Sequence, residues 1–113
     1  MDPVAICNAL GNKTRYQLVK SLRDRTINTC CGKIEYYENG ASVGDVVKLT
    51  GLAQSTVSRH LAVLEQAGLL TKEKREQWSC YFLNTEAVER FLAELGRELR
   101  PSGPSLKDLD GRG

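Results

Sequence analysis

The chain has 113 residues, 41% of them apolar and 27% charged, with a net charge of only +2. That composition suits one small folded domain and excludes a membrane-spanning chain, since no apolar run approaches the ~20 residues a bilayer requires. Nothing reads as a secretory signal, so the expected location is the cytoplasm, where thiols are kept reduced; binding to nucleic acid would need basic residues gathered on one face, because the bulk charge does not argue for it.

In chain order, Asp2-Pro3 is a cap and first-turn pair opening a short helix through Leu10. A second helix is predicted from Thr14 to Asp24, with Leu18, Val19 and Leu22 on one side. A long connection follows, about Thr26 to Ala41, and contains Cys30-Cys31-Gly32 and Tyr36-Tyr37. Ser42 with Asp45 three residues on is a helix start, a weaker form of the Ser/Thr-x-x-Glu box, and Val43, Val46, Val47 and Leu49 form the apolar side of that helix. Gly51 suits a left-handed C-terminal position, so the chain turns there instead of continuing one helix.

The next helix is predicted from about Gln54 to Ala67, stopping at Gly68, and its Val57, Leu61 and Leu64 stack on one face. Gln54, Ser55, Thr56, Ser58 and Arg59 lie on the polar side near its start. A recognition helix presents its N-terminal half to the major groove, and these residue types hydrogen-bond base edges and phosphates. A surface helix with a Ser/Thr-rich first turn would look similar, so the following segment matters. From Leu69 to Asn84 the chain reads as two strands around a charged tip at Lys74, Arg75, Glu76 and Gln77. Lys72, Lys74 and Arg75 place positive charge where a hairpin could lie along the DNA backbone, giving affinity and register rather than sequence choice.

Thr85 is the expected cap of a last helix whose Val88, Phe91, Leu92, Leu95 and Leu99 form an apolar stripe. In a monomer that stripe would leave an exposed apolar patch, which a two-fold partner would bury. The domain is expected to span 1–100, for DNA binding and dimerisation, and 101–113, rich in Pro and Gly, to be a disordered tail.

These segments resemble the ArsR/SmtB family of winged-helix repressors, bacterial sensors of metals, metalloids and thiol chemistry. ALGNKTRYQLVKSL is similar to the family's opening helix pair, QSTVSRHLAVLEQAGLL to its recognition helix and strand entry, and KREQWSCYFLN to its wing. The resemblance runs from about Leu10 to Leu95 and implies a mainly α, winged helix-turn-helix fold of about five helices. It also implies a homodimer paired through the first and last helices, which leaves a palindromic double-stranded operator when an effector acts. Many arsenic- and metal-sensing members carry Cys-Val-Cys-Asp where this chain has Ser42, Val43, Gly44 and Asp45, so that thiolate site is absent. The wing also lacks the family's usual Gly at its tip.

Sensing then falls to the four cysteines, at 7, 30, 31 and 80. No C-x-x-C pair makes a structural zinc site, and the single histidine, His60, sits in the recognition helix, where packing or a backbone contact is the expected role. Adjacent Cα atoms lie about 3.8 Å apart, below the roughly 4.4 to 6.8 Å of ordinary disulfides, so a Cys30–Cys31 bridge would be strained and reducible. Lys33 favours thiolate nearby. The same pair could clasp arsenite or another soft ion, with Cys7 or Cys80 as a third ligand. Otherwise Cys80 is a packed strand residue near Trp78 and Phe82, and Cys7 a helix residue near the dimer interface.

The expected function is a dimeric repressor released from DNA by oxidation or arsenite binding at Cys30 and Cys31, with no required cofactor and no membrane partner. The competing reading is a soft-metal carrier or thiol redox enzyme using the same pair. It lacks a general base beside a cysteine, a Gly-rich phosphate loop and a recognisable carboxylate pair.

Overall fold

The computed structural model describes residues 2–24, 40–75 and 78–101. The vicinal cysteines, most of the long connection and the expected tail (from 102 on) lie outside the described residues. The elements are α1 (Pro3–Leu10), α2 (Lys13–Arg23), β1 (Gly40–Ser42), α3 (Val43–Thr50), α4 (Gln54–Gln66), β2 (Leu70–Arg75), β3 (Trp78–Leu83) and α5 (Thr85–Leu99).

Short polar side chains set the helix starts. Asp2 caps α1 through Val4 N, and Asn12 caps α2 through Arg15 N. At α3 the box is fully reciprocal: Asp45 N donates to Ser42 Oγ at 3.2 Å, and Ser42 N donates to Asp45 Oδ2 at 3.0 Å, so the shorter aspartate reaches as a glutamate would. The start of α5 differs from expectation. Asn84, not Thr85, is the cap, because its Oδ1 accepts from Ala87 N while its Nδ2 donates to Gly68 O, tying the helix to the end of α4.

Between α3 and α4, Gly51 stands at φ +73°, and its N–H donates to Val47 O, so the chain reverses into the next helix. Val57, Leu61 and Leu64 of α4 are buried, and around them close Ile6, Leu18, Leu22, Val46, Leu69, Leu70 and Phe91. Each such side chain contributes roughly 1.5 to 3 kcal/mol on burial. Leu49, expected on the buried side of α3, is 45% exposed. At the end of a helix of only eight residues it lies beyond the reach of that core.

The hairpin becomes a three-stranded antiparallel sheet in the order β1-β3-β2. Sequence periodicity misses β1, because Gly40–Ser42 is too short to show alternation. Its register pairs Gly40 with Phe82, Ala41 with Tyr81 and Ser42 with Cys80. The charged tip is also shorter than expected: Lys74 pairs with Ser79 and Arg75 with Trp78, so both belong to β2.

Ser42→Ala removes one half of the α3 box and leaves the Asp45 N–H without its acceptor. Denaturant unfolding should show a loss of about 1 kcal/mol, within the roughly 0.5 to 2 kcal/mol range for such caps. A midpoint equal to the parent's would mean that the Ser42 hydroxyl contributes nothing.

Candidate nucleic-acid interface

Burial of one stripe of α4 decides what its other side presents. With Val57, Leu61 and Leu64 inward, Gln54, Ser55, Ser58 and Arg59 are exposed and Thr56 is half-buried at the flank. The five candidate reading residues are thus on or beside one free surface at the N-terminal half of the helix. No side chain caps this helix, since its N-cap is Ala53. The first-turn amides of α4 therefore keep their capacity to meet an acceptor from outside.

Lys72 and Lys74 are exposed on β2. The Lys72 ammonium lies 5.8 Å from the centroid of the Tyr81 ring, its register partner on β3, which orients the stem while leaving the charge accessible. The Arg75 backbone belongs to β2, and its side chain is outside the described set.

Sequence reasoning missed Arg15, which holds α4 in place. Its Nε donates to Ala9 O at 2.7 Å and its Nη2 to Asn8 O at 3.4 Å, covering open carbonyls at the end of α1. Its Nη1 lies 3.3 Å from His60 Nδ1. A guanidinium has only donors, so that contact requires an unprotonated Nδ1 and places the ring proton on Nε2. Burial first, then the charges of Arg15 and Arg59, hold the imidazole below its ordinary pKa. His60 is half-buried, as a packing role expects, and in addition meets a charged side chain. No spacing in the sequence announces a pairing across 45 positions.

The described cysteines have different environments. Cys7 is exposed and free on α1, three positions from Val4. Cys80 is fully buried on β3, opposite Ser42 on one side and Glu73 on the other. It is disulfide-bonded. The expectation of reduced thiols did not include that bond. Cys30 and Cys31 also lie outside the described residues. Among the described residues no three His, Cys, Asp or Glu side chains gather into a metal site, and no helix is long and apolar enough to cross a membrane.

Residues 38–72 match the family model described as bacterial regulatory protein, arsR family. The arsenical resistance operon repressor of Bacillus subtilis is 33% identical over 86 residues, 76% of this chain and 70% of that protein. A putative arsenical resistance operon repressor, ArsR2 of Halobacterium salinarum, is 33% identical over 90 residues, 80% of this chain but 65% of that protein, so the chain spans less than two thirds of its length. Among solved structures, HlyU from Vibrio cholerae is 28% identical with a TM-score of 0.59, covering 87% of this chain and 91% of that one. The homodimeric winged helix-turn-helix domain of Mb0332 from Mycobacterium bovis, at 21% identity and a TM-score of 0.60, covers 87% of this chain and 81% of that one and agrees in fold.

Arg59→Ala should weaken binding to a duplex selected by the parent protein by about 1 to 3 kcal/mol and relax discrimination at one base position. Neutralising Lys72 and Lys74 together should weaken all duplexes alike and flatten the salt dependence. Fluorescence anisotropy over a salt series measures both. A wing effect confined to one sequence would contradict backbone contact.

Proposed function

Because the chain belongs to the ArsR family of DNA-binding transcriptional regulators, we propose that it is a homodimeric repressor that holds a palindromic operator and releases it through thiol chemistry at Cys30 and Cys31. The observation that carries the reading is the exposed polar N-terminal half of α4, with the wing lysines on the adjacent hairpin. One reading helix per subunit requires half-sites about one helical turn apart, hence a two-fold operator. Repression rather than activation follows the two arsenical resistance relatives, both repressors. The enzyme alternative does not hold, since the relatives are regulators of transcription.

The dimer reading rests on an uncovered apolar face. Leu92 is 55% and Leu99 72% exposed on α5, while Phe91 of the same helix is buried. Val4, 66% exposed on α1, adds to the uncovered apolar surface, and α1 packs on α5. A second copy burying these residues matches the homodimeric state of the Mb0332 domain.

Two effector chemistries suit the vicinal pair in the fully reduced chain. Hydrogen peroxide can take two electrons and two protons from two thiols, leaving as two waters while an S–S bond forms. Arsenite can instead condense with thiolates as a soft trivalent centre, in keeping with the arsenical resistance relatives. Cys80 adds a route from either event to the reading head. Its register partner Ser42 both ends β1 and caps α3, so a change at Cys80 or in the connection before β1 acts directly on the first helix of the motif. A hundredfold change in operator affinity needs only about 2.7 kcal/mol of differential affinity between the two states.

Leu92→Glu would bury a charge without a partner in the dimer, at a cost of several kcal/mol, and sedimentation should find monomers. A folded, fully dimeric variant rules this interface out.

For the switch, Cys30→Ser and Cys31→Ser should bind the selected duplex like the parent yet stay bound after peroxide or arsenite. Cys80→Ser keeps its peroxide response if the bridge closes between the vicinal thiols and loses it if the bridge runs to β3. Release of DNA by both vicinal variants moves the sensing site to Cys7.

A further inference from the structure

An open groove of about 340 Å³ lies between the start of α2 and the end of α3, continuing into the turn before α4. Lys13, Thr14 and Gln17 line one wall; Leu49, Thr50 and Leu52 line the other. We propose that this groove seats the sugar–phosphate strand flanking the half-site, extending the DNA interface from α4 and the wing to α2. The inference rests on the DNA-binding reading above.

Position is the first argument. A recognition helix enters the major groove by its N-terminus, so the turn just before that terminus borders the phosphate rim. Leu52 stands two residues before Gln54, the first residue of α4. The groove thus ends two residues short of the helix that bears Gln54 and Ser55.

The second argument is chemical. A DNA strand alternates an anionic phosphate with the apolar faces of deoxyribose, and the groove offers both counterparts. Lys13 is exposed and forms no ion pair with a described residue. Among the described residues no acid lines the groove, so none of them opposes a phosphate there. The hydroxyl of Thr50 donates to Val46 O at 2.8 Å and accepts from Leu52 N at 3.2 Å; it shapes the turn and leaves the polar contacts to the α2 wall.

Leu49 supplies the third argument. It lies 45% exposed on the flank of α3, whose Val46 is buried and whose Val43 and Val47 pack at the edge of the core, and it lines the groove as an apolar surface that the domain itself leaves uncovered. Covered by a deoxyribose face, the side chain leaves water without distorting the domain. Phosphate and sugar contacts of this kind fix register and add affinity without reading sequence.

The test uses the full chain, a duplex selected from random sequence by the parent protein, and a scrambled duplex. Lys13→Gln should weaken binding to both by the same factor, roughly three- to tenfold near physiological salt, and lower the slope of log affinity against log salt by about 0.9. Leu49→Glu, which sets a carboxylate in the seat, should weaken both duplexes at least as much. Ethylation interference on the parent complex should mark phosphates outside the half-site, and those marks should vanish with Lys13→Gln. Parental affinity and slope in the Lys13 variant overturn the seat, as does a loss on the selected duplex alone, which would make Lys13 a base reader. If Leu49→Glu does not fold, Lys13→Gln and the interference pattern decide alone. Failure of the parent to select any duplex rejects the DNA-binding reading itself, and is thereby distinguished from failure of the groove.

Discussion

The fold depends on burying a single stripe of α4. Val57, Leu61 and Leu64 are inaccessible to water, and α4 packs on α1, α2, α3 and β2 through its buried side. A helix with one apolar stripe has one rotational setting in which that stripe is dry, so packing on one side orients the reading residues on the other. The proposed interface to DNA is in that sense the complement of the core.

Polar contacts position what apolar packing only orients. Arg15 bridges the end of α1 to His60 in the middle of α4, joining three helices through one planar group with fixed donor directions. Ser42 does comparable work at the other end of the motif, as the last residue of β1, the cap of α3 and the register partner of Cys80. The helix-turn-helix is therefore attached to the sheet by a hydrogen-bonded junction rather than a free loop. Cys80 stands directly beside the start of the motif because of that attachment.

The exposed surface divides by composition. Leu92, Leu99 and Val4 expose apolar area on the terminal helices, which suits a second copy of the chain. The α4 face, the wing lysines and the groove beside Lys13 carry donors and positive charge. A net charge of +2 does not report such grouping, since it sums acids and bases over the whole chain. Like charge need not be abundant to bind a polyanion if it is gathered where the polyanion lies.

Local chemistry was legible in the sequence wherever a short window contains both partners. Caps at Asp2 and Ser42, the reversal at Gly51, the apolar spacing of α4 and the paired strands of the wing depend on residues within a few positions of one another, and the elements follow them closely. Asn84 and Thr85 are adjacent residues that can both cap, so the local window does not choose between them; the contact from Asn84 to Gly68, across sixteen positions, holds Asn84 in the capping place. β1, the Arg15–His60 contact and the groove between α2 and the α3–α4 turn were invisible for the same reason: each exists only once distant segments meet. Sequence alone thus determined which helices form and which face of α4 is polar, through local hydrogen bonding and periodicity. Only the tertiary structure decided where that face is anchored, which apolar residues remain uncovered and that Cys80 stands opposite the cap of the reading motif, because those are properties of long-range packing.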